Sequence, residues 1–451
     1  MTLDGQKIAI LGCGRSGAGA AGLARREGAT VAVFDSGEGA SFTLEGVTAH
    51  LGAQALQGPT DFDLAVISPG IDLRSDLARR FSAAGVRIIG EMEFAYRHAA
   101  GVPIVGITGT NGKTTTTELV EAILTGCGQR SVAAGNYGVP LSEVITSGES
   151  YSVFTVEISS FQLEAIEEFR CEVAVWLNFA PDHLDRYAGI DEYRAAKLRI
   201  FENQSATDWA VLDARERFAP GTVKSQTLTF SAYSEGADYT LRDGVEIICP
   251  GGEAIDMRGL KLRGTHNAEN LMAALAVGHT RGLATPDMAA AIADYTPPRH
   301  RCELVRTLGG VDYINDSKAT NLHALESSLV AQGGVPLVLI AGGKEKGLPF
   351  QRLRKVVAQR ATNVVLIGEI RERVAAEWGD EIPCKLAGSV EEAVKNITRY
   401  FDDHPDVPSF SLGVNDSSGH CRCPDCLNRV PEEPNFLGRT DYSDLYYDWC
   451  N

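Results

Sequence analysis

Short apolar runs alternate with Ala-rich stretches of helical period three times along this chain, the rhythm of parallel sheets covered by helices. The first series runs from Lys7 to about Phe94, with strands expected at KIAIL, TVAVFD, LAVIS and VRIIG, each followed by a glycine-bearing or polar turn. The second opens on VPIVGIT at 102–108 and continues through SVFTVEIS and CEVAVWLNF, with residues 205–262 reading as short strands and turns rich in Gly and Asp. It ends near Pro298, where Pro297-Pro298 interrupts any helix and marks a linker. The third begins at Arg299 and holds VDYIND, VPLVLIAGG and NVVLIG. No internal repeat or low-complexity tract appears. The expectation is an α/β protein of three domains, 1–94, 95–298 and 299–395, followed by a tail at 396–451.

Length agrees, since 451 residues exceed what one hydrophobic core usually serves. Lys plus Arg total 42 against 59 Asp plus Glu, a net charge of −17 that argues against a large non-specific nucleic-acid surface. Any anionic ligand must meet a local cluster of donors. No segment reaches about 18 uninterrupted apolar residues, and the apolar run before Gly12 is too short for a signal-peptide core, so a cytoplasmic protein without membrane contact is expected. Cys13, Cys127, Cys171, Cys249, Cys302 and Cys384 are scattered singly, as thiols of a reducing compartment would be, whereas Cys421, Cys423, Cys426 and Cys450 crowd into the tail.

Gly12-Cys13-Gly14-Arg15-Ser16-Gly17 follows the first expected strand and opens a helix, and Asp35 ends the next strand 18 residues after Gly17. Glycines at such a turn admit a pyrophosphate to the helix N-terminus, and the carboxylate can take a ribose hydroxyl. The pattern suits NAD, another diphosphate-containing nucleotide, or a tight turn without a ligand. A second loop, Gly106-Ile107-Thr108-Gly109-Thr110-Asn111-Gly112-Lys113-Thr114, lies between strand 102–108 and a helix expected near Lys113. Backbone N–H groups of such a loop face phosphate oxygens, its lysine supplies charge at the β/γ position, and the Thr114 hydroxyl can ligate Mg²⁺. Ile107 stands where the general pattern has glycine, so this is a variant loop.

Thr108 to Thr114 reads TGTNGKT, and with it the chain resembles the ATP-dependent Mur ligases of bacterial cell-wall synthesis. The resemblance extends through EISSFQL at 157–163, NFAPDHLDR at 178–186, GTHNAEN at 264–270, HRCE at 300–303 and NDSKATN at 315–321, in the family's order across roughly residues 5–395. SSFQL and NDSKATN are most similar to the branch that adds D-glutamate. The resemblance implies a Rossmann-like N-terminal domain for a UDP-linked precursor, a central P-loop ATPase-like domain with a mostly parallel sheet, and a Rossmann-like C-terminal domain. It further implies a monomeric, ADP-forming ligase whose substrates are ATP, UDP-N-acetylmuramoyl-L-alanine and D-glutamate, acting through an acyl phosphate.

Carried over residue by residue, the family's ATP contacts fall on Gly109, Thr110, Asn111, Gly112, Lys113, Thr114, Thr115, Asn267, Asn270, Arg301 and Asp316. Its substrate contacts fall on Cys13, Gly14, Arg15, Ser16, Asp35, Ser68, Gly70, Asn136, Ser159, Lys318, Thr320 and Lys346. Two Mg²⁺ sites draw on Thr114, Glu157, His183 and Lys197, the last as a carbamate formed with CO₂. Catalysis is assigned to Lys113, Glu157, His183, Lys197 and Arg301. A carboxylate at the end of a strand beside the loop can hold Mg²⁺, and a guanidinium can stabilise charge in phosphoryl transfer. The carbamate requires a neutral amine, which burial favours. The plainer readings are a surface ion pair for Glu157, a structural His183 and an exposed helix Lys197.

After Gly388-Ser389-Val390-Glu391-Glu392-Ala393 the likeness stops, and the tail, which loosely resembles a segment of bacterial carbohydrate-associated proteins, joins near 395–405 as a chimaeric gene or an intentional fusion would leave it. Its H-C-x-C-x-x-C cluster at 420–426 suits free thiols or a disulfide fragment better than a zinc site. If the last strands of the third domain are replaced, its sheet lacks a partner and the amino-acid pocket a wall. Three functions stay open on this reading: a D-glutamate-adding ligase or one for another amino acid, an inactive fusion that binds nucleotides, and a dehydrogenase built on Gly12 to Gly17.

Overall fold

The computed structural model describes residues 2–183, 186–262, 264–308, 310–331, 335–345, 348–389, 392–393, 395–396, 399 and 409–412. They form two compact units. One comprises the chain up to Phe179 with Gly189–Leu260 and Asn267–Tyr295, the other Ala180–Ala188, Lys261–His266 and the described residues from Thr296 onward. Both are α/β, with two sheets in the first unit and one in the second.

In the first unit, β1 (Lys7–Leu11), β2 (Thr30–Asp35), β3 (Thr48–Leu51), β4 (Leu64–Ile67) and β5 (Ile88–Gly90) make an all-parallel sheet in the order β3-β2-β1-β4-β5. Helices α1 (Arg15–Arg26), α2 (Asp76–Ala83) and α3 (Glu91–Arg97) connect them. The strand order reverses between β1 and β4, and ligands of such sheets bind above the C-terminal ends of the strands at that point. Gly12 follows β1 there and Ser68 follows β4. Strand β3 is absent from the sequence expectation because it is an edge strand with no buried residue and hence no apolar run.

The second sheet contains β6 (Ile104–Thr108), β7 (Ser131–Gly135), β8 (Val153–Glu157), β9 (Val173–Trp176), β10 (Trp209–Asp213), β11 (Gln226–Ser231), β12 (Tyr239–Arg242), β13 (Glu246–Ile248) and β14 (Ala254–Asp256). Its order is β14-β13-β12-β11-β10-β9-β6-β8-β7, parallel from β7 to β12 with β13 and β14 antiparallel at the edge. The helices of this part are α4 (Lys113–Gly126), α5 (Leu141–Thr146), α6 (Ser160–Leu163), α7 (Ile190–Leu198), α8 (Thr265–Thr280) and α9 (Thr285–Ala291). Every residue of β6, β8 and β9 is buried, which is why these strands read as continuous apolar runs rather than alternating ones.

Two buried carboxylates of α3 fasten the first sheet to the second. Glu91 accepts hydrogen bonds from the Ser142 backbone N–H and hydroxyl at the start of α5, and burial pushes its carboxyl up. Glu93 accepts from the backbone N–H groups of Glu167, Glu168 and Phe169 and from Arg97, so a charge removed from water is fully partnered.

The second unit contains β15 (Glu303–Leu308), β16 (Val311–Asn315), β17 (Leu337–Gly343), β18 (Ala361–Gly368), β19 (Cys384–Leu386) and β20 (Ser409–Leu412), with α10 (Leu322–Ala331), α11 (Arg354–Arg360) and α12 (Arg371–Trp378). The order is β15-β16-β20-β17-β18-β19. The expectation that this sheet lacks a partner is therefore corrected. Residues 409–412, inside the stretch read as a foreign tail, pair in parallel with both β16 and β17. An apolar alternation as short as Ser-Phe-Ser-Leu suffices because the slot is closed on both sides. The tail cysteines lie outside the described residues. No helix among the described residues is long and apolar enough to cross a membrane.

Candidate active site

The loop from Gly109 to Gly112 joins the buried strand β6 to α4 and crosses the C-terminal end of the second sheet. Its glycines are dictated by backbone and space. Gly109 and Gly112 lie at φ +156° and +85°, and a Cβ on Gly112 would stand 2.2 Å from Asn270 Oδ1. The first turn of α4 carries no acidic side chain of its own, and the anion nearest its N-terminus is Glu157, bonded to Thr114. Asn178, just past β9, clamps the loop by accepting from Asn111 N–H at 2.9 Å and donating to its carbonyl at 3.1 Å. Lys113 Nζ donates to the carbonyls of Gly109 and Thr110, each at 2.9 Å. Gly112→Ala is expected to destabilise the fold by roughly 1–3 kcal/mol and to weaken ATP binding at least about tenfold, because it strains the backbone and displaces Asn270. Urea denaturation and ATP titration of the variant measure the two effects; unchanged affinity would remove the loop from the nucleotide site.

Glu157 ends β8 beside the loop strand and is 3% exposed, which excludes the surface ion pair. Its Oε2 accepts from Thr114 Oγ1 at 2.8 Å and its Oε1 from Asn136 Nδ2 at 2.7 Å. A threonine hydroxyl and a carboxylate in contact are hard oxygen donors of the kind Mg²⁺ takes. The donor set at the loop thus fits the metal that the family implies.

Lys197 lies on α7 and is 2% exposed, so it is no surface lysine. Its Nζ donates to Gly109 carbonyl at 2.9 Å and to Thr108 Oγ1 at 3.4 Å, and it sits 5.0 Å from the centre of the Tyr193 ring, one helical turn earlier. Asn267 and Asn270 share one face of α8, where Asn270 Nδ2 donates to Asn267 Oδ1 and its Oδ1 accepts from Thr116. Thr115, also expected at the nucleotide, is 4% exposed on the first turn of α4.

At the first sheet, Gly17 meets Gly12 so closely that a Cβ on it would stand 1.9 Å from the Gly12 carbonyl. A Cβ on Gly12 would reach Ser68 Oγ at 2.8 Å. The Ser68 hydroxyl is buried and has no hydrogen-bond partner, an orphan at the switch point that points to a ligand contact. Asp35 accepts from Cys13 N–H at 2.9 Å and Gly37 N–H at 2.8 Å. Burial opposes the effect, but those donors hold its carboxyl below the usual range, so Asp35 shapes the turn before any ribose arrives. Burial, then Asp35, pushes the Cys13 thiol up to about 11, so it is no thiolate at neutral pH. Arg15 turns toward Glu143 and the Gly138 carbonyl. Gly14 caps α1 and Ser16 lies in its first turn, whereas Gly70 follows β4 in the loop after Ser68. The Ser159 hydroxyl is occupied by a capping box with Gln162 at the start of α6.

The remaining expected residues belong to the second unit. Arg301 stands between two non-glycine residues in left-handed backbone, His300 at φ +69° and Cys302 at φ +46°. Bonds that hold this costly conformation include His300 N–H to Glu303 at 2.7 Å, Asn315 Nδ2 to His300 Nδ1 at 2.8 Å, Lys318 N–H to the His300 carbonyl at 3.1 Å, and Cys302 N–H to Asp316 at 3.0 Å. Burial pushes Asp316 up to about 6, and the bond to Cys302 makes it a support of the Arg301 segment. Lys318 and Thr320 are partly buried in the turn after β16. His183, at φ +54°, accepts no structural burial and is 44% exposed, with Asp182 bonded to its N–H and to Asn321 Nδ2. Lys346 lies outside the described residues.

The loop, Glu157, Asn136, Lys197, Asn267 and Asn270 thus form one hydrogen-bonded neighbourhood of the first unit. Asn178, Glu118, Tyr137 and Tyr193 belong to it and are absent from the sequence expectation. Tyr193 could have been found from its i−4 spacing to Lys197; Glu118 and Tyr137 carry no signal until the turn after β7 is placed.

Residues 107–278 match the model of the Mur ligase middle domain. The UDP-N-acetylmuramoylalanine–D-glutamate ligase of Geobacter metallireducens is 40% identical over 410 residues, which cover 88% of this chain and 90% of that protein. The enzyme of the same name from Myxococcus xanthus is 36% identical over 414 residues, 87% of this chain and 90% of its own. Among solved structures, the MurF ligase of Thermotoga maritima in complex with ADP aligns over 92% of both chains at a TM-score of 0.61 and 16% identity. The UDP-N-acetylmuramate-alanine ligase MurC of the same organism aligns over 92% of this chain and 96% of its own, with TM-score 0.59 and 18% identity. At those identities the structures speak for the fold alone.

Proposed function

The chain belongs to the Mur ligase family, on the branch of the UDP-N-acetylmuramoylalanine–D-glutamate ligases, and from that premise we propose that it uses ATP to join D-glutamate to UDP-N-acetylmuramoyl-L-alanine. In this reading residues 1–94 take the UDP-linked acceptor, 95–298 the nucleotide, and 299–395 the amino acid, in a monomer. The observation that carries it is the bonded set Thr114, Glu157 and Asn136. An exposed amide on the acceptor side shares one carboxylate with the hydroxyl that follows the phosphate-loop lysine.

A carboxylate is a poor electrophile at neutral pH, and phosphorylation gives it a leaving group. Lys113 and the N–H groups at the start of α4 hold the transferring phosphate, while the orphan Ser68 hydroxyl and Asn136 orient the acceptor. When bound, Mg²⁺ offsets repulsion between the two anions brought together. Thr114 and Glu157 are the residues of the first unit that would hold it, and His183 of the second unit is assigned to a second ion. Lys197 is assigned as the carbamate, its Nζ bonding to the carbon of CO₂ with loss of a proton; its burial beside the loop supports the assignment. Arg301 stabilises charge on the transferred group, and Lys318, Thr320 and Lys346 meet the amino-acid carboxylates.

ADP should appear only when ATP, UDP-N-acetylmuramoyl-L-alanine and D-glutamate are all present, with one amide formed per ADP. Because the chain after Ala393 departs from the family, a second reading keeps the nucleotide sites without completing the amide. Binding of ATP and the precursor with no ADP in the full mixture would establish that reading instead. ADP released with an amino acid other than D-glutamate would redirect the specificity.

A further inference from the structure

The turn between β7 and α5, Gly135-Asn136-Tyr137-Gly138, is held by three parts of the first unit: the end of β8, α4 and α1. A Cβ on Gly135 would stand 2.3 Å from the Glu157 carbonyl, so the turn is pressed onto the end of β8. Asn136 N–H donates to that carbonyl at 2.9 Å, and its side-chain amide donates to Glu157 Oε1 at 2.7 Å. The Tyr137 hydroxyl donates to Glu118 Oε1, and the Gly138 carbonyl accepts from Arg15 at 3.0 Å.

Glu118 lies one helical turn beyond Thr114 on α4, on the same face. Thr114 and Glu118 therefore grip the turn at two points, the first through Glu157 and the second through Tyr137. The second oxygen of Glu118 accepts from the Tyr295 hydroxyl at 2.9 Å, so the carboxylate is itself fixed from both sides. The turn has left-handed glycines at both ends, at φ +98° and +78°, so its tip depends on such side-chain bonds for its setting against α4.

We infer that Glu118 and Tyr137 are positioning residues for the ligase reaction, setting the acceptor turn against the phosphate-loop helix so that Asn136 and Glu157 stand correctly for acceptor and metal. The inference rests on the roles assigned to Asn136 and Glu157 above. Neither Glu118 nor Tyr137 has to touch a substrate.

The test compares Tyr137→Phe, Glu118→Ala and Glu118→Gln in the full chain by KM for UDP-N-acetylmuramoyl-L-alanine, half-saturating Mg²⁺, ATP affinity without acceptor, melting temperature, and hydrogen exchange across residues 131–141. Tyr137→Phe and Glu118→Ala should raise the acceptor KM and the Mg²⁺ requirement about five- to tenfold, the scale of one lost hydrogen bond to a charged group. ATP affinity should stay within about twofold, and exchange at the turn should quicken. Glu118→Gln, whose single amide carbonyl can accept from Tyr137, should recover most of what Glu118→Ala loses. Unchanged exchange at the turn or an unchanged acceptor KM in Tyr137→Phe overturns the inference. So does a loss in which ATP affinity, acceptor KM and melting temperature worsen in step, as simple packing would give. Absence of ligase activity in the wild type sinks the functional reading, and the exchange comparison then decides the tether by itself.

Discussion

Replacing Lys113 with Ala should abolish acceptor-dependent ADP release, lowering kcat by at least about 10²–10³-fold while the protein stays folded. The size follows from where the ammonium stands. Its Nζ lies 2.9 Å from two carbonyls of the loop it follows, so the ammonium is already folded back over that loop. Phosphoryl transfer adds charge there, and the protein's means of stabilising it are largely electrostatic. Loss of an interaction made only in the transition state lowers kcat and kcat/KM together. A melting temperature near that of the parent would separate this effect from collapse of the loop. Undiminished turnover would refute the phosphate-loop assignment.

The second large effect is expected at Lys197. Changing it to Ala should cut ADP formation by about 10²-fold or more, and a short-chain carboxylate such as acetate should restore part of it. The structure offers a rival explanation, since the amine itself supports the loop by donating to Gly109 carbonyl and Thr108 hydroxyl. The two make opposite demands on a small molecule. A missing prop calls for a donor, which acetate cannot be; a missing carbamate calls for an anion, which acetate is. Rescue by acetate together with dependence of the parent on bicarbonate supports the carbamate. Indifference to both leaves Lys197 as a support of the loop.

Much of this arrangement was legible in the sequence because burial and backbone geometry leave local marks. β6, β8 and β9 are buried on both faces and announce themselves as apolar runs; the loop glycines are forced by positive φ and by Asn270. Edge strand β3 and the antiparallel β15 were missed because partly exposed strands lack such runs. Site residues read from motifs, such as Glu157 and Lys197, fell at the loop. Contacts set by distant neighbours left no such mark: Arg15 meets Glu143 and Asp316 meets Cys302, whereas the Ser159–Gln162 capping box is local. No local pattern announces which of two polar groups far apart in the chain will meet. Glu118 and Tyr137 are the extreme case, a helix residue and a turn residue joined only when β6 and β7 are both in register with β8.

The position of β20 bears on how the protein is made. A strand lying between β16 and β17 but encoded almost a hundred residues after the first of them is the last part of its sheet to leave the ribosome, roughly 5–20 residues being added each second. Until it arrives, the nascent chain carries two neighbouring strands with open hydrogen-bonding edges and no proper partner between them. Products terminated before residue 409 would keep those edges for good, and would be the forms most inclined to aggregate.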